Sequence, residues 1–575
     1  MLRIMSRTMR TALFAGLLLP AGISAAPSSA APPSDAAACR SLAPVLARST
    51  GGFDEYRKAV AGAVRKAGDE ALAARVGSLV RKSPVPAANA GLAGCLLRGY
   101  VVARYGDRMV ADLQRLVGFR TEAKEGRLNW DAPEFVRQRT WLANQSKKAG
   151  FPFKSYDGRV DEISLPGPAP VLAVLTHGDV QGVENQRWSS PPWDAKLVDG
   201  KIIGRGTEDD KGPIVATFYA MAALRDTGWP LSSTIRLLVA NGEESSWDEI
   251  PYYLERSPMP DITLGIDAAY PVTHAQKGYG VLAFHGKGAP EPKPAAWRVM
   301  SLSGGSGMSI IPEEGAAVLE PFGETSGDPK KAQAELARLA AAWSAAHPPA
   351  RLAVSQQGNL LKLTAAGKGG HSSAPESGHN ALGDLTTFLA TLDLRQDAWG
   401  SLAGFVGTAL GTTTDGKGLG LDRHDDILGD LTTNISFLRD DKGTPIAEIN
   451  IRAPRGVTTE ETARRISEVA AAYAQRTGGM VESTVVSLGE AHVSPLDGKL
   501  VSTLLSVWEE VTGTPGRPVA IGGGTQARLF KDGVDFGPAL DMVHYRGHGT
   551  DEFLTVDELH RIAELTVTAL WRLTS

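Results

Sequence analysis

Three short strand candidates, the first of them an uninterrupted apolar run, each followed within a few residues by acids or a histidine, constrain this chain more than any other feature. Residues 171–175 precede His177 and Asp179, residues 235–239 precede Glu243 and Glu244, and residues 262–266 precede Asp267. A helical stretch at about 213–224 lies between the first two runs. Strands alternating with helices imply a mostly parallel sheet covered on both faces. In such sheets ligands sit beyond the carboxyl ends of the strands, which is where these polar residues fall.

Taken singly, each feature has an ordinary reading. A Glu-Glu pair is commonly solvated surface, a His-x-Asp pair a local hydrogen bond, and Asp267 a turn cap. Together they are different, because packing gives no reason to concentrate acids at the ends of three successive strands. Clustered carboxylates repel one another and take up protons, whereas divalent cations neutralise them. Asp209, in the run RGTEDDKG just before the helix, could use both carboxylate oxygens to bridge two cations. Of the adjacent Glu243 and Glu244, one can ligate while the other handles protons. Imidazoles and carboxylates without thiolate suit Zn²⁺, Mn²⁺ or Co²⁺.

Composition narrows the class further. A length of 575 residues implies two or three domains. Sixty basic against 64 acidic residues, a net charge of -4, exclude a broadly basic nucleic-acid binder. Two cysteines exclude a disulfide scaffold and an all-thiolate metal site, and permit one bridge, Cys39 to Cys95.

The N-terminus has the layout of a secretory signal peptide. Arg3, Arg7 and Arg10 precede an apolar stretch at 13–23, small residues follow, and cleavage is expected between Ala25 and Ala30. The apolar stretch is too short to span a bilayer and nothing later reaches that length. The expectation is therefore an exported protein, periplasmic or secreted, without an integral membrane segment in the mature chain. In such a compartment the two cysteines could pair.

The expected organisation is a signal peptide at 1–26, a flexible Ala/Pro/Ser lead at 27–50, a first domain in two parts at 51–272 and 488–575, and a second domain inserted at 273–487. Helical periodicity marks 53–79 and 110–121 in the first part. The inserted part has an Ala-rich helix at about 330–346, strand candidates at 351–354, 360–365 and 446–451, and a Gly/Asp-rich segment at 407–430 read as an exposed loop system.

The runs THGDVQGV, GRGTEDDKG, NGEESS and GIDAAYP resemble the M20 family of metallopeptidases, most closely its PepV-type dipeptidase branch. The resemblance is strong over about 170–280, good over about 493–575, and weaker between. It implies an α/β fold, with a mostly parallel sheet flanked by helices forming the dinuclear metal catalytic domain and an inserted α+β lid domain. It further implies two divalent metal ions, Zn²⁺ before Mn²⁺ or Co²⁺, with His177, Asp209 and Asp267 holding one and Asp209, Glu244 and His548 the other. Asp179 would steady His177, and Glu243 would be the general base. The Asp209–Asp210 peptide bond would be cis. His371, in GKGGHSSAPESGHNA, matches the lid histidine that stabilises the oxyanion, and Arg452, in NIRAPRG, the arginine that receives the substrate carboxylate. The implied activity is hydrolysis of dipeptides or very short peptides by a monomer or homodimer. The alternatives are an N-acyl-amino-acid deacylase or carboxypeptidase of the same family and, in another class, a non-catalytic peptide-binding protein.

Overall fold

The structure, a computed structural model, describes Cys39, Leu42 and residues 51–122, 130–184, 186–322, 328–540 and 545–575. The expected signal peptide at 1–26, and the expected lead at 27–50 apart from Cys39 and Leu42, lie outside the described residues. No helix among the described residues is long and apolar enough to cross a membrane.

One sheet carries the candidate site. Its strands run in the order Phe153–Tyr156, Val160–Leu165, Thr234–Ala240, Val171–His177, Ile262–Gly265, Val534–Asp535, Val272–Gln276 and His492–Val493, with Pro518–Ile521 also paired to Val272–Gln276. The four strands from Thr234–Ala240 to Val534–Asp535 are parallel, as the alternation of strands and helices requires. Antiparallel pairings at both flanks make the whole sheet mixed. The strand Val171–His177 is apolar without interruption over residues 171–175 because both its faces are covered. Leu172 and Val174 enter the main core, and Ala173 and Leu175 a smaller one on the other side.

Helices Ala90–Val117, Gly212–Thr227 and Val556–Thr574 pack together over that main core. The expected helix at 110–121 is the end of the 28-residue helix Ala90–Val117. The helix carries four glycines, which lower helix propensity, yet Gly106 leaves room for the His560 ring of the C-terminal helix. A Cβ at Gly106 would meet the His560 ring at 2.9 Å. Packing overrode propensity there. The expected helix at 53–79 breaks at Gly68, which takes φ 91°, and restarts with Asp69 accepting a hydrogen bond from the Leu72 amide. Cys39 and Cys95 form a disulfide, with Cα atoms 5.6 Å apart, a spacing ordinary for a bridge.

The second sheet is antiparallel throughout and has its own core. Its order is Arg351–Gln357, Leu360–Ala366, Glu314–Pro321, Trp297–Gly304, Thr432–Asp441, Thr444–Ala453, Gly278–Gly286 and Val481–Leu488. Helices Pro329–Ala346, Ala381–Leu389, Ala398–Ala409 and Thr459–Thr477 contribute to that core. The segment 407–430 is less exposed than its composition implies, because Leu419, Leu421 and Leu428 are buried. The chain passes between the sheets at Lys277, after Val272–Gln276 in the first sheet, and returns at 489–491. The two crossings touch. A Cβ on Gly278 would lie 2.1 Å from the Gly489 carbonyl oxygen.

Candidate metal centre

The carboxyl ends of the central strands and the turns after them bring the sequence-predicted side chains together. His177 closes its strand, Asp267 follows Ile262–Gly265, and Glu243 and Glu244 follow Thr234–Ala240. Asp209 lies in a tight turn before the helix Gly212–Thr227, and the Asp209–Asp210 bond is cis. His548 arrives from the far end of the chain with φ 67°, between two glycines in a loop. Its left-handed backbone accords with the expectation that it is not helical.

The two oxygens of Asp209 face different imidazoles. Oδ1 lies 2.8 Å from His177 Nε2, and Oδ2 lies 3.1 Å from His548 Nε2. Asp267 Oδ1 is 3.5 Å from His177 Nε2, and Glu244 Oε1 is 3.0 Å from His548 Nε2. Two ligand triads therefore share one carboxylate: His177, Asp209 and Asp267, and Asp209, Glu244 and His548. Glu243 stands with His177 and Glu244 in a third such cluster.

The fit to cations can be tested on His177. Its Nδ1 is 2.9 Å from the backbone oxygen of Asp179, which can only accept, so Nδ1 carries a hydrogen and Nε2 presents its lone pair. A lone pair 2.8 Å from a carboxylate oxygen is repelled unless a proton or a cation lies between. Burial works against a charged ring, yet Asp267, Asp179 and Asp209 together lift the His177 pKa well above its ordinary value. Burial likewise opposes charge on His548, while Glu244 and Asp209 raise it to about 10. Burial pushes Asp267 up to about 6 against the pull of His177. The imidazoles take on protons to balance the acids, a task that divalent cations perform with more charge. The donor set, two imidazoles and three carboxylates without thiolate, fits such cations.

Asp179 organises the site through the backbone after the strand Thr234–Ala240. Its oxygens accept from the amides of Glu243 at 3.3 Å and Glu244 at 3.0 Å, and Oδ1 lies 3.5 Å from His177 Nδ1. Glu243 is half-buried, and among the described residues no hydrogen bond occupies its carboxylate. Burial first, and then the nearby Asp267, raise its pKa well above the carboxylate range.

The second domain contributes two groups. The His371 ring lies 4.6 Å from the His548 ring, centroid to centroid. The Ser373 amide donates to His371 Nδ1 at 3.1 Å, which leaves Nε2 as the protonated nitrogen. Burial, helped by His548 and Arg452, keeps His371 neutral by holding its pKa well below the usual value. Alternation along Thr444–Ala453 explains Arg452: Ala447, Ile449 and Ile451 enter the domain core, and Asn450 and Arg452 take the opposite face. Arg452 Nε donates to Asn450 Oδ1 at 2.8 Å, and Nη2 donates to Ser309 Oγ at 3.0 Å and Ser372 Oγ at 3.2 Å.

Several supporting residues escape sequence reasoning. Glu552 is fully buried: Oε2 accepts from Arg205 Nη1 and the Gly206 amide, and Oε1 from the amides of Glu208 and Asp209. It thus fixes the turn that presents Asp209. Its only signal is the acidic pair after His548. Tyr545 donates its hydroxyl to Asp209 Oδ2. Asp210 accepts from the His177 amide at 3.1 Å. Lys211 Nζ reaches Leu116 O and Phe119 O, at 3.1 and 2.7 Å, tying the helix Ala90–Val117 to the same turn.

An α/β domain that presents two His/carboxylate triads sharing one carboxylate, beneath a second domain that adds a histidine and an arginine, defines a hydrolase of the dinuclear-metal class. The profile of peptidase family M20/M25/M40 matches residues 173–572, and the chain belongs to that family. It is 31% identical over 439 residues to the Bacillus subtilis (strain 168) protein named "Putative dipeptidase YtjP", covering 76% of this chain and 89% of that one. It is 28% identical to the Beta-Ala-Xaa dipeptidase of Lactobacillus delbrueckii subsp. lactis, covering 75% and 87%. Among solved structures, human carnosine dipeptidase 1 shares the fold, with a TM-score of 0.52 at 15% identity over 83% of this chain and 98% of that one.

Proposed function

We propose that this enzyme hydrolyses the peptide bond of unblocked dipeptides, with Glu243 as general base, at a pair of divalent metal ions, Zn²⁺ before Mn²⁺ or Co²⁺. The observation that carries this reading is the splitting of the Asp209 carboxylate between two imidazoles. His177, Asp209 and Asp267 would hold one ion, and Asp209, Glu244 and His548 the other. When bound, such ions polarise a carbonyl and make a water acidic near neutral pH.

The chain's own residues supply the rest. Glu243, held at its backbone by Asp179, takes the proton of the attacking water and returns it to the leaving amine. His371, neutral and protonated on Nε2, donates to the oxygen that becomes negative as the carbonyl turns tetrahedral. Arg452 receives the C-terminal carboxylate with a planar fork that lysine lacks. Because His371 comes from the same chain, one copy has a complete site, so a monomer suffices for turnover. The dipeptidase names of the sequence relatives support the dipeptide reading. The Cys39–Cys95 bridge supports export to a periplasmic or extracellular compartment after removal of 1–26.

The test uses free and N-acetylated dipeptides with the metal-stripped full chain, restored with Zn²⁺, Mn²⁺ or Co²⁺ in turn. Free dipeptides should be cleaved only after restoration, and Glu243→Gln should abolish turnover with metal content unchanged. Preference for the acetylated series would make the enzyme a deacylase, and full activity in Glu243→Gln would remove the base.

A further inference from the structure

The seam between the two domains contains three basic side chains that meet no acid. Arg452 and Lys277 are buried and Arg528 is half-buried, and none of them forms an ion pair with a carboxylate among the described residues. Lys277 donates to the backbone oxygen of Asp430, and Arg528 donates to Lys277 O at 3.0 Å and to Glu490 O. Arg452 is held by Asn450, Ser309 and Ser372. Neutral oxygens satisfy hydrogen bonds but leave three positive charges unbalanced. A buried charge is costly unless an opposite charge meets it.

The three are neighbours through the fold. Arg452 is opposite Tyr279 on one side and Thr432 on the other, and its guanidinium lies 4.9 Å from the centre of the Tyr279 ring. Lys277 precedes Tyr279 by two residues, and its ammonium sits at Asp430, two residues before Thr432. Burial is the largest influence on all three and lowers the pKa of each: Arg452 falls to about 10 despite Tyr279 and Glu243, with a smaller push from Arg528, and Lys277 falls despite Asp430 and Glu376, with a smaller push from Arg452. The acids that act on Lys277 from a distance are Asp430 and Glu376. Both are exposed, and Asp430 is already paired with His424 at 2.7 Å. The metal centre is close by: Arg452 Nη2 donates to Ser372 Oγ at 3.2 Å, and the ring of the preceding residue, His371, lies 4.6 Å from that of His548. The glycine turn 522–524 closes the space from the catalytic domain: a Cβ at Gly522 would meet Ser373 O at 2.3 Å, and one at Gly524 would meet Arg528 Nη1 at 3.2 Å.

One carboxylate cannot balance three cations. We propose that the enzyme selects dipeptides whose second residue is Asp or Glu: Arg452 takes the α-carboxylate, and Lys277, backed by Arg528, takes the side-chain carboxylate. Lys277 uses one of its three donors on Asp430 and has two to offer. Its flexible stem can follow either side-chain length, while Arg528 holds the Lys277 backbone in place. This specificity rests on the dipeptidase reading above.

The test compares kcat/KM for Ala-Glu with Ala-Gln, and Ala-Asp with Ala-Asn, in the metal-restored full chain. Each pair keeps shape and removes one charge. A charge-assisted hydrogen bond in a buried site predicts a preference of roughly tenfold or more for the acid, carried by KM. In Lys277→Met the Ala-Glu to Ala-Gln ratio should fall towards one. A ratio taken within one preparation is insensitive to how much of it has folded. In Arg528→Lys the ratio should fall part-way. Equal rates on Ala-Glu and Ala-Gln in the parent enzyme would overturn the proposal while leaving dipeptide hydrolysis standing. A ratio that survives Lys277→Met would overturn the role of Lys277. Failure to cleave any dipeptide would sink the underlying reading instead.

Discussion

Replacing Glu552 with Gln tests whether the turn that carries Asp209 must be fixed from behind. The change keeps shape and converts one acceptor oxygen into an NH2 group. Each oxygen of Glu552 accepts two hydrogen bonds: Oε2 from Arg205 at 2.7 Å and the Gly206 amide at 3.0 Å, and Oε1 from the amides of Glu208 at 2.9 Å and Asp209 at 3.2 Å. Whichever way the glutamine amide turns, its nitrogen faces two donors and satisfies neither. An orphaned buried donor costs roughly 1–3 kcal/mol, so the two together cost about 2–6 kcal/mol. The Arg205 charge also loses its partner, where both side chains are almost wholly buried, which places the effect towards the upper end. The damage falls beside the one carboxylate common to both triads. Metal affinity should therefore weaken by roughly ten- to a hundredfold, the size typical for removal of a residue that orients a ligand. Titration of metal-stripped protein against a chromophoric chelator reads the affinity, and urea unfolding reads the stability. A Glu552→Gln enzyme with parental metal affinity and parental midpoint would refute the reasoning, since Asp209 would then hold its place without those four hydrogen bonds.

Three further outcomes follow from other parts of the molecule. Arg452→Ala should raise KM for dipeptides with a free carboxylate and leave their C-terminal amides nearly unaffected; equal effects on both would remove the arginine from carboxylate recognition. Asp161 is fully buried, and burial pushes its pKa to about 6 against the pull of Ser155, Arg139 and Asn241. The folded state therefore binds this proton more tightly than the unfolded state, so the stability it contributes is complete below about pH 4 and lost as pH rises through about 6. Asp161→Asn should gain stability over the parent near neutral pH but not near pH 4, by up to about 3 kcal/mol, and a gain that is flat with pH in thermal melts would refute this. Replacing Cys39 and Cys95 with Ala opens a bridge spanning 56 residues, which should cost at most about 4 kcal/mol in urea unfolding and leave kcat unchanged; an unaltered midpoint would show that the bridge does not restrain the unfolded chain.

Much of the site was legible in sequence because its information is local. A strand buried on both faces reads as a continuous apolar run, and a polar residue directly after it must stand at the sheet's carboxyl edge. That logic places His177, Glu243, Glu244 and Asp267, and the glycines around His548 keep it out of a helix. The antiparallel flanks of the first sheet were not legible, since pairing direction at an edge depends on which distant segment arrives there. The helix Ala90–Val117 was half hidden because its glycines oppose helix formation until the C-terminal helix packs against them.

Residue types, their order along the chain and the family resemblance they carry nominated the ligand set. Tertiary structure alone decided which Asp209 oxygen faces which imidazole, which ring nitrogens of His177 and His371 carry hydrogen, and that Glu552 supports the turn from 343 to 347 residues away. It alone also brought Lys277, Arg452 and Arg528 to one seam. The reason is physical: periodicity and turn chemistry act over a few residues, whereas the direction of a hydrogen bond or the isolation of a buried charge exists only after distant segments have closed on one another.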